Sequence, residues 1–423
     1  MRIYKNFNVI FLIYLVSLLA LGIFYLHLKH TVGNDSTISD WIINYQGGFT
    51  RRGLIGEICF HIAKFFDQEI RFIIFLFQSL IYSVFISLIY LYFKNLPKNL
   101  LSILAIFTPI FLIYPIAELE VLVRKEVFVF IAFIVFLNLS SKKYSKNLPI
   151  IYSFLIFPII CLIWEPFIFF LPFAAFIIVV RNHSDKIKKI LIKLLLSFGT
   201  SIFVTIYILM NIMNEEQHAL MVDSLLKNFG ENCYVSCATL LSQSSVKSQF
   251  MPTIERLSFT VFLRYFLIIL IGFGPLFILY FNSQLKKKVI LFSFFNNLFF
   301  PLLIICIPIL LLFAAALDWG RWVNISYTFS ILLYFYLQKN NLIIVNSNII
   351  FLDNYYLNNK KIFIFIFFIF AFYWNQKTIV TGDVATNTLY KIIYRTSKNI
   401  FNFSSIRLFE NSPLLEFHKK YIE

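Results

Sequence analysis

Four short segments of this chain place carboxylates within a few residues of cations, of tryptophan or of both. The first runs from Asp40 to Glu57 and reads DWIINYQGGFTRRGLIGE. Gly47 and Gly48 permit a tight turn with positive φ, and helical periodicity starts just beyond it. Arg51 and Arg52 then stand near a helix N-terminus, where a cation opposes the helix dipole. An anion bound there would meet both backbone N–H groups and guanidinium forks. A lipid-linked diphosphate fits that role, and unspecific contact with anionic headgroups is the alternative. The second segment interleaves Glu118, Glu120, Arg124, Lys125 and Glu126. A carboxylate such as Glu120 could be a general base for an acceptor hydroxyl, or the charges could form a solvated, salt-bridged loop. The third is Trp164-Glu165-Pro166, a lone acid between two short apolar stretches. Intramembrane carboxylates are costly and are usually paired or functional. The fourth is Asp318-Trp319-Gly320-Arg321-Trp322. Asp318 and Arg321 could clamp each other, or Arg321 could hold phosphate while Trp319 or Trp322 offers a platform to a sugar.

The elements that must position these residues are membrane helices. Of the 423 residues 60% are hydrophobic, and mean hydropathy is +0.80. One soluble core cannot hide that much apolar surface, so lipid is the expected solvent. The 54 Phe are read as compositional bias and not as a site. A span needs roughly 20 apolar residues, which gives about eleven spans, near 8–28, 72–93, 100–117, 127–139, 149–164, 166–180, 190–213, 257–281, 290–316, 323–338 and 361–375. Pro158, Pro166 and Pro172 predict kinked or re-entrant fifth and sixth spans. The expected fold is all-α: one polytopic membrane domain over 1–423, with outer loops at 29–71 and 214–256 and an outer tail at 376–423. Within the first outer loop, an interfacial amphipathic helix is expected, with Leu54, Ile55, Ile58, Ile62, Phe65 and Phe66 on one face and Glu57, His61 and Lys64 on another.

Lys and Arg set the orientation. The net charge of +16 would suggest nucleic acid in a soluble protein, but here it follows the positive-inside rule and no nucleic-acid partner is expected. Lys94 and Lys98, then Lys142, Lys143 and Lys146, then Arg181, Lys186, Lys188 and Lys189, then Lys286, Lys287 and Lys288, then Lys339, Lys360 and Lys361 all fall on the cytoplasmic side if the N-terminus is cytoplasmic. Arg2 and Lys5 precede the first span, which is too long for a signal-peptide core and is expected to be retained. The four polar segments and all five tryptophans, including Trp41 and Trp374, then share the outer face. That asymmetry fits an interfacial aromatic belt or sugar stacking. Cys233 and Cys237 lie in the second outer loop, where either a disulfide or two thiols is open. There is no Walker A or nucleophile-elbow sequence, none of the 6 His lies in mid-span, and the 5 Cys form no CxxC pair.

The Asn-Tyr-x-Gly-Gly-Phe-x-Arg-Arg-Gly-Leu segment, the outer Arg-Lys-Glu, the Glu-Pro pair and the Asp-Trp-Gly-Arg-Trp segment together resemble bacterial O-antigen and capsular polysaccharide repeat-unit polymerases of the Wzy type. More broadly the chain is similar to GT-C membrane glycosyltransferases. The resemblance implies a multi-pass protein of the bacterial inner membrane that joins oligosaccharide repeat units carried on undecaprenyl diphosphate at the periplasmic face. It implies membrane lipids and a chain-length regulator as partners, and no cofactor. The clustered outer acids leave a divalent metal open. Under that reading Arg51, Arg52, Arg124 and Arg321 bind the diphosphate, Trp319 and Trp322 contact sugar, and Asp40, Glu120, Glu165 and Asp318 are the candidate catalytic acids. Asp35 and Glu57 are further acids of the first loop, with Asp40 preferred because it adjoins the Gly-Gly segment. A lipid-linked oligosaccharide flippase, or a GT-C enzyme using a polyprenyl-phosphate sugar, is the competing function.

Overall fold

A computed structural model describes residues 7–31, 36–96, 99–242, 250–287 except 252 and 256, 289, 292, 294–346, 360–379 and 385–401. Arg2, Lys5, Asp35, Lys98 and Lys288 lie outside the described residues. The described residues are mostly helical. Two small antiparallel pairs, Ser283–Leu285 with Ile343–Val345 and Asn375–Gln376 with Ala385–Thr386, are the strand content among the described residues.

Four described helices are long and apolar enough to cross a membrane: Phe7–His30, Ile70–Phe93, Ile187–Met210 and Phe259–Phe281. Shorter apolar helices accompany them at Glu126–Leu139, Leu148–Ile163, Phe299–Ala315 and Lys361–Phe372. The long helices turn large apolar side chains outward, with Leu195 and Phe203 each 69% exposed. An unpaired apolar exterior of this kind is a lipid-facing surface, and the protein is membrane-embedded.

At the centre stands the Trp319–Lys339 helix, buried from Trp319 through Leu337. It carries Asn324, Ser326, Thr328 and Ser330, so burial does not come from apolarity alone. Tyrosines bridge it to its neighbours: Tyr92 Oη donates to the Leu332 carbonyl at 2.7 Å and Tyr280 Oη to that of Ser330 at 2.8 Å. Its own Tyr327 donates to the Ala105 carbonyl at 2.6 Å. Bonds to backbone inside a bundle are favoured because no water competes.

Three expected spans are broken. Leu100–Phe107 stops at Thr108, and a turn leads into the short Tyr114–Ala117 helix. Irregular backbone at this depth needs partners, and Asn324 Nδ2 donates to the carbonyls of Ile110 and Phe111 at 2.8 and 2.9 Å. Glu165–Phe170 is a 3₁₀ turn before the Leu171–Arg181 helix, as expected from Pro166 and Pro172. Phe299–Cys306 and Leu310–Ala315 are separated by a 3₁₀ turn at Pro308.

In the segment 36–71 the expected apolar helix face is divided between protein and the exterior. The helix Gly53–Phe65 buries Ile55, Cys59, Phe60 and Ala63, while Ile58, Phe65 and Phe66 are exposed. It is apolar on two sides because it packs on Ser36–Ile42 and Ile70–Phe93 with one side and leaves the other outward. Glu57 is occupied locally, accepting from the Tyr45 amide at 2.8 Å and Gln46 Nε2 at 2.7 Å. Gly48 adopts φ 122° in the preceding turn, as its sequence position required. The segment 214–242 folds over the segment 36–71. Its helix Glu215–Phe229 begins with a capping box from Asn214 and Gln217, and Val235–Ser242 packs on Ser36–Ile42. Arg71 pairs with Glu231 and lies 5.3 Å from the Tyr234 ring. Cys233 and Cys237 form a disulfide. His218 Nε2 sits 3.5 Å from Cys233 Sγ, but that sulfur is already bonded.

The basic loops gather at one end of the bundle. Arg181 donates to the carbonyls of Ser141 and Tyr144, Lys339 Nζ to that of Tyr92, and the Lys286 amide to that of Leu342.

Candidate functional site

Opposite the basic end, four loops separated widely in sequence bring their charges together. They are the segments before Gly53, before Glu126, around Glu165 and before Trp319. Arg52 anchors the cluster. Its Nε donates to both Glu165 carboxylate oxygens, at 3.0 and 2.9 Å, and its Nη2 to Oε1 at 2.7 Å. Its Nη1 lies 3.9 Å from Asp40 Oδ1. Lys125, fully buried, donates its Nζ to the Arg52 carbonyl. Arg321 pairs with Glu126, the residue after Lys125, and, at 3.0 Å, with Asp318 Oδ2. Arg124 Nη1 approaches the same Asp318 oxygen at 3.9 Å. The Arg321 guanidinium is also 5.1 Å from the Trp322 ring centroid and 5.9 Å from that of Trp164, within cation–π range.

The local backbone is strained on both flanks. Arg52 has φ 62° and Val123 has φ 47°, and a β-branched residue in the left-handed region is a true outlier. Trp41 Nε1 and Gln78 Nε2 both donate to the Val123 carbonyl and hold it there, at 3.1 and 3.3 Å. Strain maintained by such contacts is a feature of functional sites.

Among the described residues, several buried polar atoms in the cluster lack a hydrogen-bond partner: both Asp40 carboxylate oxygens, Arg124 Nε, and the indole nitrogens of Trp164 and Trp322. Native interiors leave few such atoms. The acids are tuned differently. Burial alone would raise the Asp40 carboxyl, but Lys125, Arg124, Arg52 and Arg321 outweigh it and hold its pKa at about 2. Burial raises the Asp318 carboxyl above its ordinary value against the pull of Arg124 and Arg52. For Lys125, burial prevails over Asp40 and brings the ammonium down to about 8.

Of the residues singled out from sequence, Asp40, Arg52, Arg124, Glu165, Asp318, Arg321 and Trp322 meet here. Arg51 feels the same charges, those of Glu165, Arg52 and Asp40. Glu120 is exposed on the short turn Leu119–Val121 and takes part in none of these ion pairs. Trp319 packs against Tyr265 and Phe313 and donates Nε1 to the Phe313 carbonyl at 2.8 Å. The tryptophans do lie at this end. Trp41, Trp164, Trp319 and Trp322 are buried rather than spread as an interfacial belt. Sequence reading passed over Lys125, Glu126 and Trp164 as site residues, although all three adjoin residues it chose.

No protein-family model, curated protein or solved structure matches the chain. The site is therefore read from its chemistry.

Proposed function

We propose that this protein is a membrane glycosyltransferase that polymerises oligosaccharide repeat units carried on a polyprenyl diphosphate, at the outward face of a bacterial inner membrane. In this reading the chain crosses about eleven times with a cytoplasmic N-terminus, and the shorter and broken helices complete the crossings. The observation that carries the proposal is the convergence of four separate polar segments into one buried cluster at the end of the bundle away from the basic loops.

Asp318 is the better proton acceptor of the two central acids. A carboxyl held at about 2, like that of Asp40, binds a proton poorly, whereas Asp318 is raised and its side chain is the more exposed of the two. Divergent environments of neighbouring carboxyls assign different roles to each. The acceptor hydroxyl would lose its proton to Asp318 as its oxygen attacks the anomeric carbon. The bond to the diphosphate breaks, and the lipid diphosphate leaves with the electron pair. Arg52 and Arg321 are already engaged by carboxylates, so Arg124, whose Nε is unpartnered among the described residues, has a donor to offer a phosphate oxygen.

The test is surface-glycan analysis of a strain lacking the protein, complemented with wild type or Asp318→Asn at matched membrane levels. Deletion should leave lipid A–core capped with a single repeat unit. Asp318→Asn should lower long-chain synthesis by about 100-fold, the usual contribution of a general base. Loss of every repeat unit, with accumulation on the carrier inside, would make the protein a transporter instead.

A further inference from the structure

The segment after Trp374 makes the most unexpected set of contacts in the molecule. From sequence it is only the tail beyond the last apolar run, and Glu118 is one of several charges between two apolar runs. In the structure, Glu118 is buried and gathers that segment. It pairs with Lys391, accepts from Asn375 Nδ2 at 3.1 Å, and receives the Thr378 hydroxyl at 3.5 Å. Asn375 Oδ1 in turn accepts from the hydroxyls of Thr386 and Thr388 at 3.1 and 3.3 Å. Arg395 donates to the Ala117 carbonyl at 2.6 Å, and Tyr25 Oη meets the Thr396 hydroxyl at 2.8 Å. Asn375, Gln376, Thr378 and Thr388 are buried, which is not the state of a surface tail.

The same segment is laid against Gly320, in the middle of the Asp318–Trp322 turn. The Gly320 amide donates to the Thr378 carbonyl at 3.1 Å, and Gln376 Nε2 donates to the Gly320 carbonyl at 3.3 Å. Tyr265 Oη fixes the intervening Lys377 carbonyl at 3.1 Å. A Cβ on Gly320 would overlap that carbonyl oxygen, so only glycine allows the two backbones to approach this closely. Gly320 is two residues from Asp318 and one from Arg321.

We propose that residues 375–378, pinned by Glu118 to the helix Thr388–Phe401, form a strap that positions the Asp318–Trp322 turn, with Glu118 and Gly320 as positioning residues. The consequence for the reaction rests on the glycosyltransferase reading. The strap itself does not.

The experiment compares purified wild type with Gly320→Ala, which wedges the strap off, and Glu118→Gln, which removes its ionic pin without adding bulk. Limited trypsin digestion with mass spectrometry reads cleavage after Lys377, Lys391 and Arg395, and tryptophan emission reads the turn that carries Trp319 and Trp322. Both variants should be cleaved at least tenfold faster than wild type at these sites, with red-shifted emission, and should retain a cooperative unfolding transition in detergent. In the complemented deletion strain both should shorten the glycan. In vitro, the acid limb of the pH–rate profile should move to lower pH as Asp318 gains water. Trypsin resistance and emission equal to wild type in both variants would show that Gly320 and Glu118 do not hold the strap. A released strap with unchanged glycan length and pH profile would overturn the positioning role. If wild type transfers no sugar, the reaction reading fails, while digestion and emission still decide whether the strap holds the turn.

Discussion

Arg52 and Glu165 are separated by 113 positions in the chain and joined by three hydrogen bonds. A buried ion pair gains little over well-packed apolar residues, but removing one partner strands the other charge. Glu165→Gln should therefore cost about 3 kcal/mol, measured by unfolding in detergent, whereas Arg52→Met with Glu165→Met should recover most of that loss. A double variant no more stable than Glu165→Gln would show that the pair is not what fixes this corner. Glu165 was recognisable because a lone acid between apolar stretches needs a partner. The partner's identity was not, since Arg51 and Arg52 are adjacent and only the tertiary structure shows that Arg52 makes these hydrogen bonds to Glu165. Lys125 was hidden for a related reason: flanked by Arg124 and Glu126, it reads as part of a solvated loop until its burial is seen.

At the scale of elements, the broken 100–117 segment depends on the central helix. Asn324 supplies the donors that the Ile110 and Phe111 carbonyls lose when the helix stops at Thr108. Replacing it with leucine leaves the buried Ile110 carbonyl unmet and that of Phe111 with only the Tyr114 amide at 3.4 Å, at about 2 kcal/mol. Asn324→Leu should thus lower the unfolding midpoint in detergent, while Asn211→Leu, on an exposed helix end, should change it little. Equal effects would mean that the break is satisfied in another way. The amphipathic helix of the first loop shows the limit of periodicity: Gly53–Phe65 has apolar residues on two sides, and the pattern does not say which side meets protein and which meets lipid.

For the whole molecule, the charge asymmetry predicts sidedness. Asp223 lies in the helix Glu215–Phe229 and Lys142 in the basic end, both exposed. In intact cells an impermeant maleimide should label Asp223→Cys and not Lys142→Cys. The native free cysteines Cys59 and Cys161 are buried and give low background, with Cys306 only partly covered. The reverse labelling would turn the cluster toward the cytoplasm and remove the proposed reaction with it.

Composition and hydropathy by themselves determined that the chain is helical and membrane-embedded, because 60% hydrophobic residues leave no other solvent for it. The spacing of charge between apolar runs also picked out most of the cluster, since isolated charges among spans are costly enough to be noticed. Tertiary structure decided which of those charges pair, that Glu120 stands apart from these ion pairs, and that Glu118 fastens a strap. Each of these depends on contacts between segments up to hundreds of residues apart, and no local pattern encodes them. Lys391 and Glu118, 273 positions apart, meet only because helices between them return the chain to the same end of the bundle.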